Sequence, residues 1–296
     1  GRFSGMDVTL KQAFAMSINS VAVRLGQEVG IDRIVTTAHE MGIKSKLDAT
    51  PSLTLGASDV NLLELVGAYC TPVNNGKAID PILVTRIEDR DGNVLYEANP
   101  EERQVLSPKS AFYVQQLLMG GMSGTSSRLR GFVGNANNDT DFGGKTGTSN
   151  NHSDAWFIGT TPRLVCGAWV GGEYRCIHFR TGQLGQGNRT ALPICGYFLG
   201  SVLSDNQFKH YRTRFSKPEG IGDINDYGCG GYFKAPSDSD SIAVDSLAAK
   251  PEMEMVLDEF GNEVVRPKEH HDHVNTQTTP NSQQAAEEPK QTKIEN

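Results

Sequence analysis

The segment that most constrains the fold is residues 142–162, FGGKTGTSNNHSDAWFIGTTP. It sets several glycines among strand-forming residues and continues into the apolar run AWFI. Glycine weakens a strand, so a glycine inside a strand usually marks the close approach of another backbone or a ligand. The segment therefore predicts a strand beside which an extended ligand lies, close to the side chains of Lys145 and Thr146.

The segments around this strand predict an α+β order. The residues TLKQ, which begin at Thr9, have capping-box form and open a first helix. Further predicted helices cover 20–29, 32–41, a segment with Ser58 as its N-cap, 107–118, and 190–203 with Ile194, Phe198 and Val202 at i, i+4 and i+8. A hairpin is predicted around Asp91-Gly92, and consecutive strands at 142–148, 154–160 and 164–170. Short turns between strands imply an antiparallel sheet, which the helices before and after it would cover.

Composition divides the chain in two. The hydrophobic content of 37% and the mean hydropathy of −0.40 are low for a wholly globular chain. Residues 251–296 contain ten acidic and four basic residues, a net charge of −6 out of the formal −7. The nearly neutral remainder argues against a nucleic-acid partner. We predict a folded domain at 1–217, followed at 218–296 by a linker and a disordered polar tail.

The sequence carries little indication of a membrane span, a signal peptide or a metal site. No run reaches the roughly 18 to 20 apolar residues that span a bilayer, and the first ten residues do not form a signal peptide. The five cysteines have no metal-binding spacing. We interpret them as buried hydrophobic residues, and a Cys166–Cys176 bridge stays open for an oxidising compartment. No cofactor or metal site is predicted, and the run HHDH at 270–273 would at most chelate a metal adventitiously.

The K-T-G-T run supplies the candidate binding residues Lys145, Thr146, Gly147 and Thr148. Lys145 and Gly147 would share one face of the strand, and the two threonines the other. A peptide can add to an edge strand through main-chain hydrogen bonds, and the missing Cβ at Gly147 lets it come close. An ammonium group and hydroxyls can together grip a carboxylate. The pattern favours recognition of a peptide C-terminus, whereas a K-T-G tripeptide alone would indicate only a glycine-rich hairpin.

A second motif, Ser17-Ile18-Asn19, falls in the predicted break between the first two helices. S-x-N or S-D-N ahead of K-T-G is the order found in serine acyl-enzymes that act on penicillin-like substrates. From a tight turn, Ser17 could relay a proton to a departing amine, while Asn19 binds a substrate amide and the general base. Without K-T-G, the triplet would be an ordinary helix-capping pair.

The chain resembles the transpeptidase domain of class A, bifunctional penicillin-binding proteins. The resemblance spans about residues 8–203 and rests on TLKQAFAMSINSVAVRL, TLGASDVNLLELVGAYCTPVNNG, GGMSGTSSRLR, FGGKTGTSNNHSDAWFIGTTP and ALPICGYFL. It implies a three-layer α+β fold of the β-lactamase/transpeptidase type, truncated at its N-terminus. It also implies a reaction: a serine attacks the penultimate D-Ala carbonyl of a peptidoglycan stem peptide, D-Ala leaves, and an amine of a neighbouring stem peptide takes the acyl group. β-Lactams would mimic the D-Ala-D-Ala end.

The resemblance also assigns roles. Ser17, Asn19 and Lys145 would be catalytic. Thr146, Gly147 and Thr148 would bind substrate, and the N–H that follows K-T-G forms half of the oxyanion hole in this family. Four neighbouring residues receive no role, because surface arginines and turn residues explain them: Arg128, Arg130, His152 and Asp154.

One part of the family pattern is missing. The nucleophile and base belong to an S-x-x-K motif, and no lysine of this chain has a serine three positions before it. The resemblance places that motif upstream, together with a glycosyltransferase domain and a membrane anchor. We therefore expect a fragment that is inactive alone and exposes apolar surface, from a protein at the extracytoplasmic (periplasmic) face of the cytoplasmic membrane.

Other functions stay open. A non-catalytic peptidoglycan- or partner-binding module could use the same cleft, and the upstream gene sequence would separate it from an enzyme. A pseudo-enzyme would more often keep a full-length scaffold. A β-lactamase of related fold would need a water-activating residue, and it fits poorly with the strand block after K-T-G and the extended tail.

Overall fold

The computed structural model describes residues 7–134 and 139–222, together with the backbone of 253–257 and 263–267. The chain forms two compact units, Gly1–Pro236 and Ser237–Asn296. The first unit contains both predicted motifs. Among the described residues, no helix has the length and apolar character needed to cross a bilayer.

The described part of the first unit contains eight α-helices. They are α1 (Leu10–Ala15), α2 (Asn19–Val29), α3 (Ile31–Glu40), α4 (Leu62–Val73), α5 (Pro108–Gly120), α6 (Leu129–Val133), α7 (Gly182–Gly185) and α8 (Ala191–Ser204). Helix α1 begins as predicted, since Thr9 Oγ1 accepts a hydrogen bond of 3.2 Å from the N–H of Gln12. Helix α5 also begins as predicted, with Ser107 Oγ accepting from the N–H of Ser110 at 3.1 Å.

The N-terminus of α4 differs from the prediction. Asn61 is the N-cap, and its Oδ1 accepts from the N–H of Glu64 at 2.9 Å. Ser58 lies in the preceding loop, where its Oγ accepts from the N–H of Asp48 at 3.0 Å. Serine and asparagine cap helices about equally well. The prediction was wrong because the path of the loop, which local sequence does not show, decides between them.

The described part of the first unit also contains three small β-sheets. Strands β1 (Lys77–Ala78) and β4 (Arg103–Gln104) pair with each other, and β2 (Arg86–Glu88) and β3 (Val94–Glu97) form the predicted hairpin. The central antiparallel sheet has the order β5 (Gly143–Thr148), β6 (Asp154–Thr161) and β7 (Leu164–Gly171). The three consecutive strands were therefore predicted to within one residue at each end, and β5 lies at the edge of this sheet.

Helices pack against both faces of the central sheet. Phe157 of β6 is fully buried in a cluster with Leu192 and Leu199 of α8. On the opposite face, Gly167 of β7 lies against Val66 and other α4 side chains. The prediction of a three-layer α+β fold, with an antiparallel sheet between helices, is confirmed.

The buried stripe of α8 is not the predicted one. Leu192, Cys195, Leu199 and Leu203 face the sheet. Ile194 and Phe198 instead point outward and are 54% and 48% exposed. Both stripes of α8 are apolar, so periodicity alone could not choose between them.

The cysteines also depart from the prediction. Cys195 is buried as expected, but Cys70 and Cys176 are exposed, and Cys166 and Cys176 are both free thiols. Cys166 packs against the core cluster that contains Cys195. A hydrogen bond with Cys195, together with burial, raises the pKa of the Cys166 thiol. A Cys166–Cys176 bridge is therefore not formed, and Cys229 lies outside the described residues.

The second unit contains a hairpin of β8 (Met253–Leu257) and β9 (Glu263–Pro267). These residues pair regularly, which differs from the predicted disorder. The segments MEMVL and EVVRP contain the apolar and β-branched residues that strands favour. The run at 270–273 lies outside the described residues, and the division at 217/218 stays a prediction.

The first unit exposes several large apolar side chains. They occur in α1, in the turn after it, in α2 and around the β2–β3 hairpin. They include Leu10, Met16, Leu25, Val29, Leu83 and Leu95.

Candidate active site

The first half of the site is the tight turn between α1 and α2. The N–H of Ser17 donates to the carbonyl of Phe14 at 3.1 Å, and the N–H of Ile18 donates to the carbonyl of Ala13 at 2.9 Å. Ser17 has a φ of 54°, in the left-handed region that few residues other than glycine adopt. Asn19 is the first residue of α2, and it is exposed.

The second half is Lys145, in the middle of the edge strand β5. Its Nζ donates hydrogen bonds to Ser17 Oγ and, at 2.9 Å, to the carbonyl of Thr146. The ring centroid of Phe14 lies 5.8 Å from the same nitrogen. The S-x-N and K-T-G motifs, which the resemblance assigned to one site, are thus in direct contact.

The ammonium group of Lys145 is partly desolvated. Burial lowers the pKa of Lys145 from 10.5 to about 8. Desolvation penalises the charged form of a lysine, and a nearby carboxylate would have had the opposite effect. Within the described part of the chain, no carboxylate contributes to this shift. The charged form still predominates at pH 7, which suits Lys145 to bind an anionic ligand.

The backbone of β5 offers hydrogen-bonding groups on its outer side. The carbonyl of Gly144 points away from β6, because it accepts a hydrogen bond of 3.1 Å from Ser126 Oγ. Successive residues of a strand direct their N–H and C=O groups to opposite sides. Thr146 and Thr148 therefore direct theirs outward too. In the described residues no strand pairs with this side of β5, so an extended peptide could add there.

The threonine hydroxyls already have partners within the protein. Thr146 Oγ1 donates to Thr125 Oγ1 at 3.0 Å, and Thr148 Oγ1 accepts from the N–H of Gly187 at 3.0 Å. Gly147 lies opposite Trp156, and a Cβ at Gly147 would stand 3.1 Å from the Trp156 Cβ. A side chain at Gly147 would therefore crowd Trp156 on the neighbouring strand.

Sequence reasoning missed four residues at the site. They are Phe14 beside the ammonium group, Thr125 and Ser126, which contact β5, and Gly187 above Thr148. Phe14 matched the apolar periodicity of α1 and gave no functional signal. Thr125 and Ser126 lie in the segment GGMSGTSSRLR, which resembles the family but carries no motif that indicates a role.

The residues given no catalytic role make structural contacts. Arg128 donates to the carbonyl of Asn188 at 2.7 Å, and Arg130 donates to the carbonyl of Met122 at 3.4 Å. Asp154 accepts from Trp169 Nε1 at 3.0 Å and from a serine hydroxyl at 2.7 Å. His152 occupies the β5–β6 turn with a φ of 60°. Arg128 and Arg130 are thus surface residues and His152 is a turn residue, whereas Asp154 is the first residue of β6 rather than part of the turn.

The same architecture occurs in a known class of proteins. The fold is similar to the crystal structure of penicillin-binding protein 1A from Haemophilus influenzae, with a TM-score of 0.61 and 26% identity over 67% of this chain and 35% of that one. This is the fold of the penicillin-recognising transpeptidases. Residues 3–165 match the family model of the penicillin binding protein transpeptidase domain, and the chain belongs to that family. The resemblance stated from the sequence is confirmed.

The relatives in sequence are also penicillin-binding proteins. Penicillin-binding protein 2D of Bacillus subtilis is 37% identical over 175 residues, which cover 58% of this chain and 25% of the relative. Penicillin-binding protein 1A of Aquifex aeolicus is 35% identical over 189 residues, or 64% and 25% of the two chains. The chain thus spans about a quarter of the length of these relatives. The PonA1 protein of Mycobacterium tuberculosis, solved with penicillin V, shares the fold at a TM-score of 0.57 and 22% identity, over 77% of this chain and 62% of that one.

Proposed function

We propose that this transpeptidase domain grips the D-Ala-D-Ala end of a peptidoglycan stem peptide, or a β-lactam, for D,D-transpeptidation through a serine acyl-enzyme. The observation that carries the proposal is the contact between Lys145 Nζ and Ser17 Oγ beside the outer side of β5. Membership of the penicillin-binding protein family supports the substrate class.

The roles of the residues follow from their positions. The stem peptide adds to β5 as an antiparallel strand and bonds to the outward backbone groups of Thr146 and Thr148. The Lys145 ammonium group attracts the terminal carboxylate. The N–H of Thr148 supplies one donor to the oxyanion, a type of contact whose loss typically costs about 3 kcal/mol of transition-state stabilisation. Gly147 leaves room for the peptide backbone.

Proton transfer would pass through the turn. A serine hydroxyl attacks the penultimate D-Ala carbonyl and gives its proton to the lysine of the S-x-x-K motif, a C–O bond forms, and the C–N bond to the last D-Ala breaks. Ser17 passes a proton to the departing amine and takes one from Lys145, which is hydrogen-bonded to Ser17 Oγ and regains its proton from solvent. Asn19 would hold the substrate amide. An amine of a second stem peptide then takes the acyl group and frees the serine.

The attacking serine is proposed to belong to an S-x-x-K motif outside the present sequence. The support is that no lysine of this chain follows a serine at that spacing. We propose that the parent protein also carries a glycosyltransferase domain and a membrane anchor, with this domain at the extracytoplasmic face. The same missing motif favours one alternative, a module that binds stem peptides or a partner without catalysis.

Binding of a model peptide tests the recognition. Isothermal titration at pH 7 with diacetyl-L-Lys-D-Ala-D-Ala should show binding that weakens about tenfold or more in Lys145→Met, because the carboxylate loses its ammonium partner. Lys209→Met, at an exposed lysine, is the matched control and should bind like the wild type. Equal affinity of the Lys145→Met variant and the wild type, or equal affinity for a C-terminally amidated peptide, would contradict the proposed recognition.

Labelling with a fluorescent penicillin tests the acylation. The present chain should give no covalently labelled band on a denaturing gel, whereas a longer polypeptide from the same gene that includes an S-x-x-K motif should give one. A labelled band from the present chain would refute an external nucleophile. Peptide binding without any labelling of the longer polypeptide would favour the non-catalytic module.

A further inference from the structure

The two halves of the site are joined by a third segment, residues 121–126, which we call the strap. It begins with a short 3-10 turn, Gly121–Ser123, at the end of α5, and continues through Gly124, Thr125 and Ser126. The strap contacts both the end of α1 and strand β5. Its hydrogen bonds therefore link the residues that flank Ser17 to the residues that flank Lys145.

Three hydrogen bonds make this link. The N–H of Thr125 donates to the carbonyl of Ala15 at 3.0 Å, two residues before Ser17. On the other side, Ser126 Oγ donates to the carbonyl of Gly144 at 3.1 Å, and Thr146 Oγ1 donates to Thr125 Oγ1 at 3.0 Å. Lys145 lies between these two β5 residues. Thr125 is thus the strap residue that bonds to both halves of the site.

Close backbone contacts hold the strap in place. A Cβ on Gly124 would overlap the carbonyl of Ala15, and a Cβ on Gly121 would stand only 2.6 Å from the carbonyl oxygen of Gly144. Ser126 and Ala15 are 0% and 3% exposed. A buried hydrogen bond with close backbone packing on both sides fixes distance as well as orientation.

The direction of the Thr146 hydrogen bond adds a second effect. Thr125 Oγ1 accepts the hydrogen bond of the Thr146 hydroxyl, so the lone pairs of Thr146 Oγ1 are left for other donors. Thr125 thus provides the acceptor that orients the K-T-G hydroxyl.

We propose that Thr125 is a positioning residue for the transpeptidase site, which sets the approach of Lys145 to Ser17 and orients the Thr146 hydroxyl. This inference rests on the proposed function for its meaning, since it assigns Thr125 to the same site. Its physical content is a separate claim: the hydrogen bonds of Thr125 hold the end of α1 against β5, and this keeps the part-buried contact between Lys145 and Ser17 closed.

The test measures the pKa of Lys145 in the full chain by NMR, from the pH dependence of its side-chain ¹³Cε signal. The signal is assigned as the one that disappears in Lys145→Met. Thr125→Val removes the hydroxyl and keeps the shape, and Thr125→Ser keeps the hydroxyl. In Thr125→Val we expect the Lys145 pKa to rise from about 8 towards 10.5, because water enters as the strap loosens. Thr125→Ser should titrate like the wild type. Thr36→Val, at an exposed threonine of α3, is the control.

An unchanged Lys145 titration in Thr125→Val would overturn the proposal, as would an equal change in Thr125→Val and Thr125→Ser. If Thr125→Val does not fold, Thr125→Ala poses the same question with less bulk. Model-peptide affinity is measured in parallel and should fall about tenfold in Thr125→Val alone. Lack of peptide binding by the wild type would count against the proposed function, while the Lys145 titration would still decide the role of Thr125.

Discussion

Lys145 donates a hydrogen bond to the hydroxyl of Ser17, across 128 positions of sequence. Neither residue reaches the other through local structure, because one lies in a helix–helix turn and the other in an edge strand. The contact therefore depends on how α1, the strap and β5 pack together. Mutations that alter this packing should change the chemistry of the site without touching its polar groups.

The stability of the protein should depend on pH through Lys145. Between its folded pKa of about 8 and its unfolded value near 10.5, the unfolded chain holds the proton and the folded chain does not. The free energy of unfolding should therefore rise with pH in this window, by about 3 kcal/mol for this shift. Below pH 8 the penalty for burying the charge is fully present, and above 10.5 it is absent.

Urea titrations at intervals from pH 7 to 11 would measure this effect. Subtracting the curve of Lys145→Met removes the contribution of groups that titrate in both proteins. The difference should grow across the window. Parallel curves for the two proteins would show that Lys145 is solvated in the folded state.

Two glycines of β5 should respond differently to alanine. A Cβ at Gly143 would lie 2.5 Å from the backbone of Leu118 in α5, whereas one at Gly147 would lie 3.1 Å from a side-chain atom of Trp156. Gly143→Ala should lower the free energy of unfolding by more than about 2 kcal/mol, because backbone cannot move aside easily. Gly147→Ala should lower it less, because a contact of 3.1 Å is relieved by a shift of a few tenths of an ångström, and it should bind the model peptide more weakly. Comparable losses of stability in both variants would contradict the assigned packing.

The buried face of α8 can be tested with a matched pair. Leu199 is fully buried, and Ile194 is 54% exposed. Leu199→Ala should cost about 2 to 5 kcal/mol, through lost burial and the cavity that remains. Ile194→Ala should cost less than about 1 kcal/mol. Thermal and urea unfolding of the two variants would measure both values, and a larger loss at Ile194 would reinstate the stripe that the sequence predicted.

The cap of α4 has a site-specific signature. Asn61→Ala should destabilise the protein by about 1 kcal/mol and release the N–H of Glu64, whose amide hydrogen should then exchange faster. Ser58→Ala should instead speed exchange at Asp48, the partner of its hydroxyl. Hydrogen exchange resolved by residue would separate the two. Faster exchange at Glu64 in Ser58→Ala would return the cap to the residue first predicted.

The sequence predicted the elements better than their surroundings. The three central strands and the start of α1 depend on local patterns, such as alternation, turn glycines and a capping box, and these were right. The buried face of α8 and the cap of α4 were wrong, because each offered two chemically equivalent choices that only tertiary packing distinguishes. Local sequence does not distinguish two apolar stripes of one helix, or two capping residues of equal propensity.

The site shows the same limit. Ser17, Lys145 and Thr146 could be proposed as site residues because their motifs occur in the order that the family shows. Phe14 and Thr125 have ordinary identities, and only the structure shows that they contact Lys145 and Thr146. A residue that contributes through its position leaves little trace in a single sequence.

The left-handed backbone of Ser17 has one more consequence. A residue with a side chain resists this conformation by roughly 1 kcal/mol or more, so an isolated peptide with the sequence AFAMSINSV would rarely present its hydroxyl in this way. The surrounding domain holds the turn in shape, and glycine would adopt the bend more easily but would carry no hydroxyl. Glycine at position 17 would thus relieve the backbone strain and lose the hydroxyl, so selection for a more stable turn and selection for the hydroxyl oppose each other at this one residue.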